Sequence, residues 1–473
     1  MFPFRRLLLS PAGMSLVGAG VKAVLFQSDG TPRRRARPLY FKKNGALRPA
    51  FADWRSVLAP QSNSPTEPET SHRALNRIRQ IVFVTRRFQR REAVALLAEL
   101  KASGLCGRLQ RFGDPLADDE LYVVVDPSAF RDHLPPSRTI YAFSGPEPLR
   151  RSLAMGDDRL RAAPAVFVSR TSMIPALEKS GVPLAKIHCA PLPGHADATL
   201  GRLAETAPAF WSEGRLWLRA LFGIGALSFE AYLAATSHGP PPSDTLLLCL
   251  PEQIERFAYA MGSLLPGAVP FPGLRHPCPW QGCAASYKYL ALRALANETI
   301  PLTIYEDDAV FGADGAHRLS AIRKSLGRRP TEWDIFSGLI SDLAEEATLT
   351  RRLTEGGETF IFFDTMIGLV FSIFNRRAIE ALTRYTVEGD DPIVDTIDRF
   401  LERQDLVSVT TQTQLVQHSE ELMSSLWTWA DTKRPRKNSE NAPAIAASLA
   451  RIRRKLAQYD EASERNDRPV ESA

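Results

Sequence analysis

Pro301-Leu-Thr-Ile-Tyr-Glu306-Asp307-Asp308-Ala309-Val310 runs a short apolar, β-forming stretch straight into three successive carboxylates. Residues 302–305 read as a buried strand, and the acids stand where that strand ends. In open α/β sheets, ligands gather at the carboxyl ends of strands. Three adjacent carboxylates repel one another, and burying them without a cation would drive protons onto them. A divalent metal removes that conflict, and oxygen ligands of this hardness suit Mg²⁺ or Mn²⁺. The plainer reading of the same triplet is a solvated turn after a strand.

Strands and helices alternate outward from this point. Upstream, 245–250 (TLLLCL) predicts a strand, 252–263 a helix and 284–297 another helix. Downstream, 333–336, 360–363, 368–372 and 407–410 read as strands, and 376–384 and 395–403 as helices. Together they define an αβ domain over 243–430. A second αβ domain is expected over 76–200, with strands at 80–85 (QIVFVT), 121–125 (LYVVV), 139–143, 165–169 and 187–191 and helices at 90–103 and 172–179. Continuous apolar strands separated by helices predict a parallel, Rossmann-like sheet covered on both faces. That domain contains neither GxGxxG nor GxxxxGK[ST], so nothing marks it as a nucleotide site. Residues 201–242 form a helical connector and linker. Its stripe of Trp211, Trp217, Leu218, Leu221 and Phe222 reads as packing between domains, with membrane contact as the alternative.

The 473 residues are 44% hydrophobic and 24% charged, which is globular usage and excludes a wholly disordered chain. The net charge of +6 is uneven. Residues 1–54 hold ten Lys and Arg against two acids, a surplus of +8, so the rest of the chain sums to −2. Within 1–56, Phe26…Asp29-Gly30…Arg33 returns as Phe41…Asn44-Gly45…Arg48, which predicts two short β-hairpins with type I′ turns. This basic segment suits an anionic membrane surface. It holds no recognised nucleic-acid-reading module, so no nucleic-acid partner is expected. Residues 57–75 are a Pro/Ser/Thr/Glu linker, and 431–473 are a charged tail with one helix over 443–459. Of five cysteines only Cys278 and Cys283 are close, which fits neither a zinc site nor a disulfide framework and favours a reducing compartment. The apolar stretch 7–21 is too short and too interrupted for a spanning helix. A cytoplasmic protein, peripheral at the inner membrane, is the expectation.

The order of motifs over 243–430 resembles the family-25 glycosyltransferases of the lipopolysaccharide-biosynthesis type. Leu250–Arg256, Gly282-Cys283-x-x-Ser286 and Glu306-Asp307-Asp308 follow one another as in that family. Trp333-Asp334-Ile335, Gly368-Leu-Val-Phe-Ser372, Arg377…Leu382 and Gln414-Leu-Val-Gln417-His418 with Ser424-Ser425 continue the match. The chain departs from the family where Cys249 replaces an Asn, Tyr287 a His, and Gln412-Thr413 a Pro.

The resemblance implies an α/β fold with a C-terminal GT-A-like nucleotide-diphospho-sugar transferase domain. It implies inverting, metal-dependent transfer of a hexose from a nucleotide-sugar donor to a glycan or lipid-linked acceptor in surface polysaccharide or lipopolysaccharide synthesis. Glu306, Asp308 and His418 are then the metal ligands, for Mn²⁺ or Mg²⁺. Arg256, Ser286 and Asp307 contact the nucleotide sugar, Asp307 also serving catalysis. Asp395 is the general base or acceptor ligand, with Asp364 in reserve, and Trp280 and Trp333 are stacking candidates. Each has a plainer role open to it: surface charge for Arg256, structural histidine for His418, helix cap for Asp395, core packing for the tryptophans. Two other functions use the same residues. One is a non-catalytic glycan- or nucleotide-binding protein on a degenerate transferase fold; the other is a metal-dependent nucleotidyl- or phosphotransferase.

Overall fold

The computed structural model describes residues 80–85, 90–110, 115–127, 134–154, 158–237, 239–366, 368–386, 395–419, 421–422, 439 and 442–466. The hairpin repeat of 1–56, the linker 57–75, residues 387–394 and Ser424-Ser425 lie outside them. The fold is α/β, with one parallel and one mixed sheet.

Strands β1 (Gln80–Val84), β2 (Gly107–Leu109), β3 (Glu120–Val125), β4 (Thr139–Phe143), β5 (Val166–Val168) and β6 (Ile187–Cys189) form a six-stranded sheet in the order β2-β1-β3-β4-β5-β6. Every neighbouring pair is parallel. Ile81, Phe83, Leu121, Val123 and Ile140 enter one core, while Val82, Val84, Tyr122, Val124 and Tyr141 enter another on the opposite face. Both faces being covered, the strands have no polar side to show, which is why they read as unbroken apolar runs.

The connector packs against the edges of both sheets. Helix Glu213–Gly223 starts at Ser212, whose hydroxyl accepts from the Arg215 amide at 3.4 Å. Trp217 Nε1 donates to the Pro191 carbonyl just past β6 at 2.8 Å. Trp211 Nε1 donates to the Pro270 carbonyl of the second sheet at 2.7 Å. The apolar stripe is therefore buried, and one hydrophobic core runs on from the first sheet into the second.

The second region contributes β7 (Thr245–Cys249), β8 (Val269–Pro272), β9 (Leu302–Glu306), β10 (Ala309–Phe311), β11 (Ile335–Ser337), β12 (Leu349–Glu355), β13 (Glu358–Phe363), β14 (Phe371–Phe374), β15 (Ser408–Thr411) and β16 (Val416–His418). Eight of these form a mixed sheet, β12-β13-β15-β11-β14-β9-β7-β8, and β10 pairs with β16 apart from it. β7 runs parallel to β8 and to β9, so these strands end at one edge. β14 lies antiparallel to β9 and begins at that same edge, Phe371 opposite Tyr305. The chain reverses its direction of travel across the sheet at β7, and the loops after β7 and β9 meet there. Helix Ala442–Asn466 is longer than the tail helix expected over 443–459. No helix among the described residues is long and apolar enough to cross a membrane.

Candidate functional site

The acid triplet occupies the carboxyl end of β9. The Glu306 amide still donates to the Val370 carbonyl, at 2.9 Å, so the sheet holds the chain through Glu306 and lets it go at Asp307. β10 then turns away to pair with β16, Ala309 facing His418. The Ser419 amide closes this corner on the Asp308 carbonyl at 2.9 Å. The hairpin-like pairing is what brings His418 to a site more than a hundred residues earlier in the chain.

Arg256 comes from the neighbouring parallel strand. It lies in the first turn of helix Ile254–Gly262, which follows β7. Its Nε donates to Asp307 Oδ1 at 2.8 Å and its Nη2 also bonds Asp307. The same Nη2 lies 2.9 Å from Asp308 Oδ2. Arg256, Asp307 and Asp308 are 5%, 6% and 3% exposed, so these ion pairs are largely withdrawn from water. His418 Nε2 stands 3.2 Å from Asp308 Oδ2. Its Nδ1 is buried with no hydrogen-bond partner among the described residues. Glu306 turns the other way, its Oε1 3.2 Å from the Tyr287 hydroxyl, which also donates to the Leu369 carbonyl at 3.0 Å. Cys283 Sγ lies 4.0 Å from the same carboxyl oxygen.

The charges do not balance. Burial, reinforced by Asp308, pushes the Glu306 carboxyl up to about 8 against the pull of Arg256. Burial likewise raises Asp307, although Arg256 opposes it. Burial tends to lower Arg256, but Asp307 and Asp308 outweigh it and raise the guanidinium further. For His418 burial also works downward, and the hydrogen bond and charge of Asp308 reverse it, so the imidazole holds its proton more firmly than usual. One arginine and one histidine thus face three acids.

A fourth carboxylate acts on the site from another element. Asp398 stands in the first turn of helix Ile397–Glu402. Its charge raises Glu306, Tyr287 and Cys283. Burial raises Asp398 itself, while its own amide and Thr396 hold it down. The sequence reading passed over Asp398; its one signal is an acid in the first turn of the helix expected over 395–403, whereas Asp395 was named on the family resemblance.

The other expected residues fall elsewhere. Ser286 is fully buried: it accepts from the Leu274 amide at 2.7 Å and donates to the Gly282 carbonyl at 2.8 Å. A Cβ on Gly282 would stand 2.7 Å from the Leu274 carbonyl. Gly282 and Ser286 therefore fasten the loop after β8 to helix Pro279–Ala296, and no hydrogen bond joins Ser286 to the acids. Asp395 precedes helix Ile397–Glu402, which starts two residues later than expected with Thr396 at the N-cap position; its carbonyl accepts from the Tyr385 hydroxyl at 2.7 Å. Asp364 is at an exposed hairpin end, accepting from the Thr348 amide at 2.7 Å. Trp333 and Trp280 are buried, and Trp333 Nε1 donates to the Leu326 carbonyl.

Compared with protein-family models, curated proteins and solved structures, the chain matches none of them.

Among the described residues, no three His, Cys, Asp or Glu side chains already converge as a metal cage. The donor chemistry nevertheless fits a divalent cation. Asp308 and His418 are in contact, the His418 Nδ1 is orphaned, and the excess of carboxylate is what such an ion would neutralise.

Proposed function

We propose that the chain is a metal-dependent glycosyltransferase of GT-A-like architecture, moving a hexose from a nucleotide sugar to a glycan or lipid-linked acceptor. One observation carries this reading. A buried strand delivers Glu306-Asp307-Asp308 to the sheet edge where Arg256, from the adjacent parallel strand's helix, and His418, from β16, converge on them. Asp308 and His418, joined by Glu306, are the residues that would hold Mn²⁺ or Mg²⁺. Bound there, the ion would neutralise the diphosphate of the leaving nucleotide.

The chain's own groups divide the remaining work. Arg256 fixes Asp307 and Asp308 in place, so the acids are preorganised before any ligand arrives. Asp398, or Asp395 three residues earlier, supplies the carboxylate that takes the proton from the acceptor hydroxyl, a role worth roughly 10²–10⁴ in rate. The basic surplus of residues 1–54 supports contact with anionic lipid at the inner membrane, where a lipid-linked acceptor would be found.

Calorimetric titration with a panel of nucleoside diphosphates, with and without Mn²⁺, tests the proposal. Wild-type protein is expected to bind one nucleotide only with the metal present, and Asp308→Ala to lose that binding. Folded protein that binds no nucleotide would overturn it. A second reading draws on Arg256 and Tyr287, which give the acids internal partners. It is a glycan- or nucleotide-binding protein without turnover. Release of nucleoside diphosphate from a nucleotide sugar separates the two.

A further inference from the structure

Helix Ala442–Asn466 is tied to the neighbourhood of the site by side chains of several kinds. Ile452 and Leu456 share a small core with Ile340, Leu343, Ile361, Phe363 and Met366. The Ser448 hydroxyl donates to the Ser341 carbonyl at 3.4 Å, and Lys455 Nζ to the Glu345 carbonyl at 2.5 Å. Arg451 Nη2 lies 3.1 Å from Asp342 Oδ1, and Arg454 Nη2 3.1 Å from Glu345. Apart from the packing on Ile361, Phe363 and Met366, these contacts grip one segment, 340–347, which follows β11.

Asp342 has a second partner. Arg399 Nη2 donates to Asp342 Oδ2 at 2.9 Å, so its two carboxyl oxygens serve two arginines on two different helices. Arg399 is the residue after Asp398. The far end of that short helix is fastened too, the Thr365 hydroxyl donating to the Glu402 carbonyl at 3.0 Å. On its other side Phe400 meets Tyr385 edge-on, with centroids 5.3 Å apart. A helix of only six residues has little stability of its own, and its placement depends on these contacts.

We propose that Asp342 is a positioning residue: bridging Arg451 of the 442–466 helix and Arg399, it holds in place helix Ile397–Glu402, which carries Asp398. Its link to catalysis rests on the transferase reading; the clamp itself does not. The sequence could not show it, because the three charges lie far apart along the chain and each reads alone as surface charge.

Hydrogen exchange on the full chain tests it. Arg451→Ala and Asp342→Asn are each expected to speed exchange of the 396–403 amides about 3–5-fold, the effect of losing one partly exposed ion pair. Exchange in β7 and β9 should stay unchanged, and Arg451→Lys should restore most of the protection. Arg454→Ala, which removes the pair with Glu345 only, should leave 396–403 as in wild type. Unchanged exchange at 396–403 in Arg451→Ala and Asp342→Asn overturns the clamp. So does equal loosening by Arg454→Ala, since general weakening of the 442–466 helix would then explain the result. Nucleotide-sugar turnover provides a separate arm. Loosened exchange with a lower kcat and unchanged KM joins the clamp to catalysis; loosened exchange in a protein without turnover keeps the clamp and removes the transferase reading.

Discussion

Two buried clusters in this molecule each set carboxylates against arginine, and they are built to opposite ends. Between the sheets, Arg219 pairs bidentately with Glu252, at 2.7 and 2.9 Å, with both side chains 1% exposed. Glu252 Oε1 also accepts from the Cys189 amide at 2.8 Å, and Arg219 Nε donates to the Gly273 carbonyl at 2.7 Å. Burial works to raise Glu252, but Arg219 and Arg275 hold its carboxyl far below the usual range. Every strong donor has an acceptor, and the cluster staples β6 and its neighbours to the loops after β7 and β8. At the end of β9 the proportions are reversed, with acid in excess and Glu306 driven to keep its proton. With two arginines about one carboxylate and its hydrogen bonds made, the first network serves structure. An excess of buried carboxylate, as at the end of β9, marks a candidate functional site.

The largest expected effect separates the two directly. Arg219→Met leaves Glu252 buried without its bidentate partner, with only Arg275 at 3.9 Å to offset the charge, and should cost about 3–5 kcal/mol in urea unfolding. Asp308→Asn removes a charge from a crowded site and should change metal-free stability by less than about 1 kcal/mol, in either direction. Comparable losses at both sites would mean that the acidic cluster is structural after all.

The pH dependence sharpens the contrast. In the folded protein Glu306 keeps a proton up to about 8, whereas in the unfolded chain it releases it near its ordinary 4.5. Folding therefore takes up a proton across that window, and stability falls as the pH rises through it, by a few kcal/mol for metal-free protein. Glu252 behaves in the opposite sense. Its depressed value makes its contribution fully present above the ordinary carboxylate range, and lost only as the solution becomes strongly acid. Unfolding midpoints in EDTA between pH 5 and 8.5 should slope downward for wild type and less steeply for Glu306→Gln, with His418, Asp307 and Asp398, also raised, carrying the slope that remains. An unchanged slope in that variant would show that Glu306 ionises normally.

The same contrast explains what could be read from the chain. The parallel sheet was legible because both its faces are apolar; 139–143 matches β4 at both ends, and only β2, a three-residue edge strand of Gly-Arg-Leu, was missed. In the second region β8 and β12 of the mixed sheet and the separate pair β10 and β16 went unread. β12 (LTRRLTE) is only partly buried, β8 carries two prolines, and β10 and β16 have three residues each and form only because they meet. Helix Gly315–Gly327 was also missed, although Leu319, Ile322 and Leu326 bury one face at helical spacing. At the site, the acid triplet was visible as a charge pattern, and Arg256 was named only through the family resemblance. Asp398 was not, because its approach to Glu306 depends on how a six-residue helix packs rather than on its own sequence.

Metal addition should act on one cluster alone. At a hundredfold excess over its dissociation constant, Mn²⁺ bound only by the folded protein stabilises it by about 2.7 kcal/mol. Wild type and Arg219→Lys should both show that rise in thermal midpoint, and Asp308→Ala should not. A shift that survives Asp308→Ala places the ion away from the acids.

The smallest effect asks what Tyr287 does. Its hydroxyl is shared between the Leu369 carbonyl and Glu306, and its ring packs edge-on to Phe374 with centroids 6.0 Å apart. Tyr287→Phe keeps the ring and removes the hydrogen bond, which should cost about 1 kcal/mol. The same change releases Glu306 from its internal partner, so the Mn²⁺-induced rise in midpoint should grow even as the metal-free protein weakens. Opposite movement of the two quantities would place Tyr287 as a restraint on the acidic site. If instead the variant lost 3 kcal/mol or more and the metal response stayed the same, Tyr287 would belong with Arg219 and Glu252, as a buried polar group that holds elements together and has no part in the chemistry.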